Sequence, residues 1–182
     1  MIDGAIIIRP LSSHEAHARA PALAGILIDC VEGGASVSFM TPLSQQKAQA
    51  FWHAVADGIA EADRSLLVAE DSSTGSLVGT VQLVLGQPEN QPHRADIAKM
   101  LVHRAARKQG IGARLMQAAE DAARDAGKTL LVLDTATGGD AERLYQRLGW
   151  IRVGTIPGYA VWPDGQPCAT TYYYKQLLSP AR

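Results

Sequence analysis

The residues with the clearest chemistry lie between Ala95 and Gly149. In Arg107-Lys108-Gln109-Gly110-Ile111-Gly112, two residues without side chains stand beside basic ones at the head of an amphipathic run. Glycine lets a ligand come close to the main chain. The first N–H groups of a helix have no internal partner and carry partial positive charge. With Arg104, Arg107 and Lys108 alongside, the turn suits a phosphate or pyrophosphate. Its plainer reading is a tight connection with solvated charges. Asp96 falls inside a strand-like segment, where carboxylates are disfavoured, and alternation puts it on one face with Ala98, Met100 and Val102. An ion pair with Arg94 or Lys99 would account for it. Asp134 ends the apolar run 129–133, and strand C-termini in α/β sheets line ligand crevices. A turn aspartate bonding nearby N–H groups is the alternative. Tyr145 has core spacing, yet a buried phenol needs a partner. Phe39, Trp52, Tyr159 and Trp162 could wall a pocket or simply pack. The five histidines show no pairing, and nothing near Cys168 lowers its pKa to make it a nucleophile.

These residues need a frame. Ala95–Gly127 reads as strand, basic turn and helix, with Ile111, Leu115, Met116, Ala119, Ala122, Ala123 and Ala126 on one face and Gly127 as the stop. Upstream, 5–8 is a strand ended by Pro10. A helix over 14–31 breaks or kinks at Pro21 and stops at Gly33-Gly34. A loop of small residues (35–40) leads to a second helix over about 45–62, followed by a hairpin of strands 65–70 and 77–85 around DSSTGS. Downstream, 129–133 fits a buried parallel strand, and Asp140 can cap a helix with Ala141, Leu144, Tyr145 and Leu148 as its apolar stripe. A strand over 150–153, a loop over 155–168 and a last strand over 171–177 complete the chain. βα units mixed with hairpins predict one α/β domain over 1–182 with a mixed sheet.

A chain of 182 residues, 47% apolar and 19% charged, can bury a core of its own. A formal charge of −1 argues against a broad nucleic-acid surface and gives no membrane bias. No apolar run approaches the roughly 20 residues of a membrane span. The opening MIDGAIIIRP is too short and acidic for a secretory signal, and Cys30 and Cys168 have no metal-like spacing. Reduced thiols in a cytoplasmic protein, with no metal, are the expectation. The N-terminal βα unit lacks G-x-G-x-x-G, which weighs against a dinucleotide oxidoreductase.

Arg107–Gly112 resembles the R/Q-x-x-G-x-G/A signature of the GCN5-related N-acetyltransferases, following a strand and opening a helix as it should. Ala141-x-x-Leu144-Tyr145-x-x-x-Gly149-Trp150 is similar to that family's second segment. VEGGASVSFM, RADIAKMLV, LDTATG and VGTIPGYAVWPDG resemble its tabtoxin-resistance branch, so the likeness spans most of the chain. One departure is Gly138, where the family often has Asn, so that a polar contact to the pantetheine arm is missing or supplied elsewhere.

The resemblance implies the GNAT fold, a mixed sheet splayed between its two central parallel strands with helices on both faces and an acetyl-CoA core at about 65–154. It implies acetyl-CoA as co-substrate, its pyrophosphate on Arg107, Lys108, Gln109, Gly110, Ile111, Gly112 and Ala113, and its pantetheine amides on the main chain of Met100, Leu101 and Val102. It implies an N-acetyltransferase, with Asp96 and Asp134 facing the amine of a small amino-acid-like acceptor, a toxin included. Phe39 and Tyr159 would shape that pocket, and Tyr145 would protonate the departing thiolate. Partners are then a small amine, neither nucleic acid nor membrane, with a homodimer left open. The rival is a non-catalytic acyl-CoA sensor or scaffold.

Overall fold

The computed structural model describes residues 5–177; the span 1–182 expected for the domain extends beyond them at both ends. The elements run β1 (Ile6–Leu11), α1 (Ser13–Ala18), α2 (Ala20–Glu32), α3 (Gln45–Ala60), β2 (Arg64–Asp71), β3 (Leu77–Val84), β4 (Arg94–Val102), α4 (Ile111–Asp125), β5 (Leu130–Ala136), α5 (Asp140–Arg147), β6 (Ile151–Val161) and β7 (Pro167–Gln176). The strands form a seven-stranded sheet in the order β1-β2-β3-β4-β5-β7-β6. Among the described residues only β4 and β5 run parallel. They pair at Arg94–Leu130, Ala95–Leu131 and Asp96–Val132 and then part, so β4 from Ile97 onward has no β5 partner. The expected splay is therefore present.

The sheet separates two apolar layers. Leu66 and Val68 of β2 pack with α1–α3, around Leu23, Leu27 and Trp52. Leu67 and Ala69 point the other way, to Ile111, Leu115 and Met116 of α4 and to Leu131, Leu133 and Tyr173. This is the two-residue period of a strand buried on both faces. A polar tie crosses the second layer. Glu120 of α4, 2% exposed, takes both oxygens to Lys175 Nζ at 2.7 Å and accepts from Trp150 Nε1 at 3.2 Å. Lys175 Nζ also donates to the Leu148 carbonyl at 2.7 Å.

Several expectations need correction. Pro10 does not end β1; it pairs with Leu67 inside the strand. β1 is an edge strand, where a missing donor is tolerated. The break near Pro21 falls at Arg19, which closes α1 and opens α2, leaving Pro21 in the first turn where no N–H is needed. The second helix ends at Ala60, not Ala62. Ala126 is an exposed cap residue rather than part of the apolar face. The segment 155–168 is mostly strand: β6 reaches Val161 and β7 starts at Pro167, with irregular register at Arg152/Gly154 and Ile156/Ala160. Asp140 is the first helical residue, not the cap; Gly139 occupies that place. The histidines do pair. α1 lies on α3 so that His17 Nδ1 meets His53 Nδ1 at 2.9 Å, and His17 Nε2 meets Asp57 at 3.0 Å.

Candidate active site

A groove of about 970 Å³ follows the gap between β4 and β5. Its lining includes the residues from Ile97 to Val102, the turn before α4, Asp134, Tyr145 and the tip of the β6–β7 hairpin.

At one end the turn prepares an anion site. Lys108 and Gly110 both have positive φ, 63° and 76°, a backbone form in which successive N–H groups converge. α4 has no side-chain cap, and its first internal bond here is Arg114 N to Gly110 O at 3.2 Å. The amides before Arg114 are thus left for a ligand. A Cβ placed on Gly110 would meet nothing within 4 Å, so its glycine serves the left-handed turn. Gly112 differs: a Cβ there would lie 3.1 Å from Leu144 Cδ2, so its bare Cα receives α5. Lys108, Ile111 and Gly112 line the groove, whereas Gln109 and Ala113 do not.

The basic residues divide their labour. Arg104 is taken by α2: its Nε lies 2.8 Å and its backbone N 2.7 Å from the Asp29 carboxylate. Burial works to raise the Asp29 pKa, but these bonds and the charges of Arg104 and His103 bring it below the usual carboxylate range. Arg107 folds back, donating from Nε to the Val102 carbonyl at 3.0 Å and from Nη2 to Cys30 Sγ at 3.7 Å. Only Arg104 of the three forms ion pairs among the described residues, and Lys108 alone has neither an ion pair nor a side-chain hydrogen bond there.

Leu144 seated on Gly112 fixes the next residue, Tyr145, whose ring packs on Trp150 and Tyr173 at 6.1 and 5.9 Å between centroids. Tyr145 is 5% exposed and lines the groove, and its hydroxyl has no hydrogen bond among the described residues. Burial, with the Asp134 charge nearby, raises its pKa well above that of a free phenol. It is therefore a neutral O–H at physiological pH. Just before α5, Gly138 has φ 87° and its N–H donates to Glu142 Oε2 at 2.5 Å. Glycine at this departure from the family pattern suits a left-handed backbone.

The opposite face of the sheet carries the charged groups. Leu131 and Leu133 face α4, so Val132 and Asp134 face the other way. Asp96 pairs with Val132 and shares that face. Asp134 lines the groove, and burial raises its carboxyl pKa against the pull of Lys99, with Asp96 adding to the rise. Asp96 is not part of the groove lining. Its Oδ1 takes Arg94 Nη1 at 2.5 Å and its Oδ2 takes Gln87 Nε2 at 3.2 Å. The ion pair with Arg94 is thus realised, and the pair with Lys99 is not. The alternation that grouped Asp96 with Met100 and Val102 fails at a bulge. Thr80 pairs with Leu101 and Gln82 with Ala98, so Lys99 and Met100 together oppose Val81. Lys99 has φ 47° there, and Met100 and Val102 turn to the α4 layer instead.

Sequence reasoning missed Lys99. Its Nζ donates to Ser38 Oγ at 3.2 Å and stands 5.6 Å from the Phe51 ring. The signal available was a lysine inside the otherwise apolar stretch 97–102. Phe39 lines the groove and meets Phe51 edge-on at 5.3 Å. Tyr159 and Trp162 line it too, while Trp52 is fully buried behind Phe51. Tyr159 Oη accepts from Tyr172 Oη at 2.8 Å. Ser36 Oγ to Val161 O at 3.0 Å and Thr41 N to Pro163 O at 3.2 Å tie the α2–α3 loop to the hairpin, closing this end.

The groove fits acetyl-CoA on these grounds. It offers open amides and Lys108 at one end, a free strand edge along its length and a buried phenol beyond. No helix among the described residues is long and apolar enough to cross a membrane.

Known structures share this fold. The ribosomal-protein-alanine N-acetyltransferase of Brucella melitensis superposes with a TM-score of 0.78 at 24% identity, over 94% of this chain and 99% of its own. An N-acetyltransferase of Staphylococcus aureus Mu50 gives 0.78 at 19%, over 96% and 100%. The Salmonella typhimurium protein yncA, whose structure holds its cofactor acetyl-CoA, gives 0.77 at 21%, over 98% of both chains. At these identities the likeness is one of fold. The model of the acetyltransferase (GNAT) family matches residues 34–150, which takes in α3, the splayed strands, the turn and α5. The chain belongs to the acetyltransferase (GNAT) family and is an acetyl-CoA-dependent N-acetyltransferase.

Proposed function

We propose that the protein acetylates the primary amine of a small, amino-acid-like acceptor by direct attack in a ternary complex. The observation that carries this is the split of the groove between two faces of one sheet. The donor turn and Tyr145 belong to the α4–α5 layer, and Asp134 faces the opposite side across the gap.

Acetyl-CoA supplies the thioester. The chain does the rest. An amine with a pKa near 10 is neutral in only about one molecule per thousand at pH 7. Asp134, with Asp96 behind it, attracts the ammonium form, orients it at the gap and passes its proton towards solvent. Because a carboxylate also raises the amine's pKa, positioning is its larger contribution. Main-chain N–H on the free edge of β4 near Met100–Val102 faces the developing oxyanion. Tyr145 O–H gives its proton to the departing sulfur. Phe39 and Tyr159 shape the acceptor pocket.

If the acceptor is an amino-acid-like toxin, the same chemistry confers resistance. The test is a mass-spectrometric screen of amines, toxin-like and ordinary amino acids included, with acetyl-CoA. A mass gain of one acetyl group on an amino acid supports the reading. Acetyl-CoA binding without acetylation of any amine would leave the sensor or scaffold role in its place.

A further inference from the structure

Lys99 has a cost to explain. Its backbone is held at φ 47°, a conformation lysine rarely adopts, and the Thr80 hydroxyl fixes it by donating to the Lys99 carbonyl at 2.9 Å. Ser38, the residue it touches, is also left-handed at φ 74°. The ammonium makes one hydrogen bond, 3.2 Å to Ser38 Oγ, and forms no ion pair among the described residues. An ammonium has three donors. On one side the aromatic ring of Phe51 occupies its surroundings at 5.6 Å. The rest opens on the groove, which Lys99 and Ser38 both line.

The anion that would naturally satisfy it is absent. Asp134 lies on the same face and its charge is felt at Lys99, yet the two do not come within ion-pair distance. Two opposite charges thus line the same groove without pairing to each other. A diamine placed there would bring a second cation towards Lys99. The amino end of a peptide would bring a neutral amide. A free amino acid matches both charges.

We propose that Lys99 and Ser38 seat the acid group of the acceptor, making Lys99 the residue that selects α-amino acids over simple amines and peptide ends. This rests on the acetyl-transfer reading above. In the bound state the acceptor's ammonium faces Asp134 and its carboxylate, or an isosteric acid, accepts from Lys99 Nζ and Ser38 Oγ. The acid group thereby holds the amine at the strand gap. No bond to it is made or broken.

The experiment compares matched sets on the full chain: each common L-amino acid, its carboxamide and its decarboxylated amine, with CoA release measured by a thiol reagent. Wild type is expected to favour amino acids over their decarboxylated partners by about 10- to 100-fold in kcat/KM, the range spanned by a charged hydrogen bond, chiefly through KM. Lys99→Met keeps the aliphatic stem and should bring that preference below threefold; Lys99→Arg should keep most of it. Acetyl-CoA affinity and Tm, measured for both, confirm an intact fold. Equal kcat/KM for acid and amine in wild type, or an undiminished preference in folded Lys99→Met, would overturn the proposal and leave the acetyl-transfer reading standing. Failure of wild type to acetylate any member while binding acetyl-CoA would overturn both.

Discussion

Replacing Tyr145 by Phe removes one oxygen and little else. The ring is 5% exposed and packed on Trp150 and Tyr173, contacts that phenylalanine repeats. The hydroxyl has no partner to strand among the described residues, so the stability change should stay within about 0.5 kcal/mol. The chemical step is another matter. Burial keeps the phenol protonated across the working pH range, so it is a donor throughout. Loss of a positioned proton donor costs roughly 10²–10⁴ in rate, or about 2.7–5.4 kcal/mol at 1.36 kcal/mol per decade. The upper part of that range requires a leaving thiolate that needs its proton. A free thiol has a pKa of about 8.5, so the deficit should be largest near pH 7 and narrow above about pH 8.5. The assay is CoA release at saturating acetyl-CoA from pH 6.5 to 9.5, with acetyl-CoA affinity measured by calorimetry. A kcat within threefold of wild type, with a ratio that does not change with pH, would remove Tyr145 from the mechanism.

Asp134→Asn should raise Tm at pH 7 while lowering kcat/KM. The Asp134 pKa is raised in the fold, so its charge costs stability that is regained as pH falls through the folded pKa; the Tm gap should close towards pH 3.8 and below, and a lower Tm at pH 7 would contradict this. Asp29→Asn runs in the opposite sense. The Asp29 pKa is lowered, so its contribution is fully present above pH 3.8 and vanishes as pH falls through the lower folded value; a wild-type advantage that persists unchanged in acid would count against it. Glu120→Gln leaves Lys175, only 21% exposed, without its carboxylate. It should cost about 3 kcal/mol in urea unfolding with an unchanged m-value, and a loss under 1 kcal/mol would mean the tie is slack.

The strand–turn–helix about α4 was legible because three local signals agree there: a two-residue period, small residues at a turn and a helical stripe. The hairpin of β6 and β7 was not. Gly154, Pro157 and Gly158 read as loop residues, and β6 is an edge strand with bulges whose Ile151, Val153 and Ile156 stay exposed, so no alternation announces it. Pro10 misled for the converse reason, since only the sheet order shows that its strand is at an edge. Asp134 and Tyr145 could be placed on the groove because each ends or lines a regular element. Asp96 and Lys99 could not, because one bulge resets which residues share a face. The pairing of His17 with His53 depends on two helices meeting, which periodicity within either helix does not report.

The parting of β4 from β5 has a consequence for the molecule as a whole. The sheet's two halves are stitched by three residue pairs, and the groove opens where the stitching stops. If acetyl-CoA lies there as a surrogate strand, it closes the protein's own seam. Occupancy at a hundred times Kd adds about 2.7 kcal/mol by mass action, and amides flanking the slot should gain the most protection from exchange. On that placement the enzyme would be firmest when charged with acetyl donor and loosest after CoA departs, and its turnover would also be a cycle of mending and unpicking.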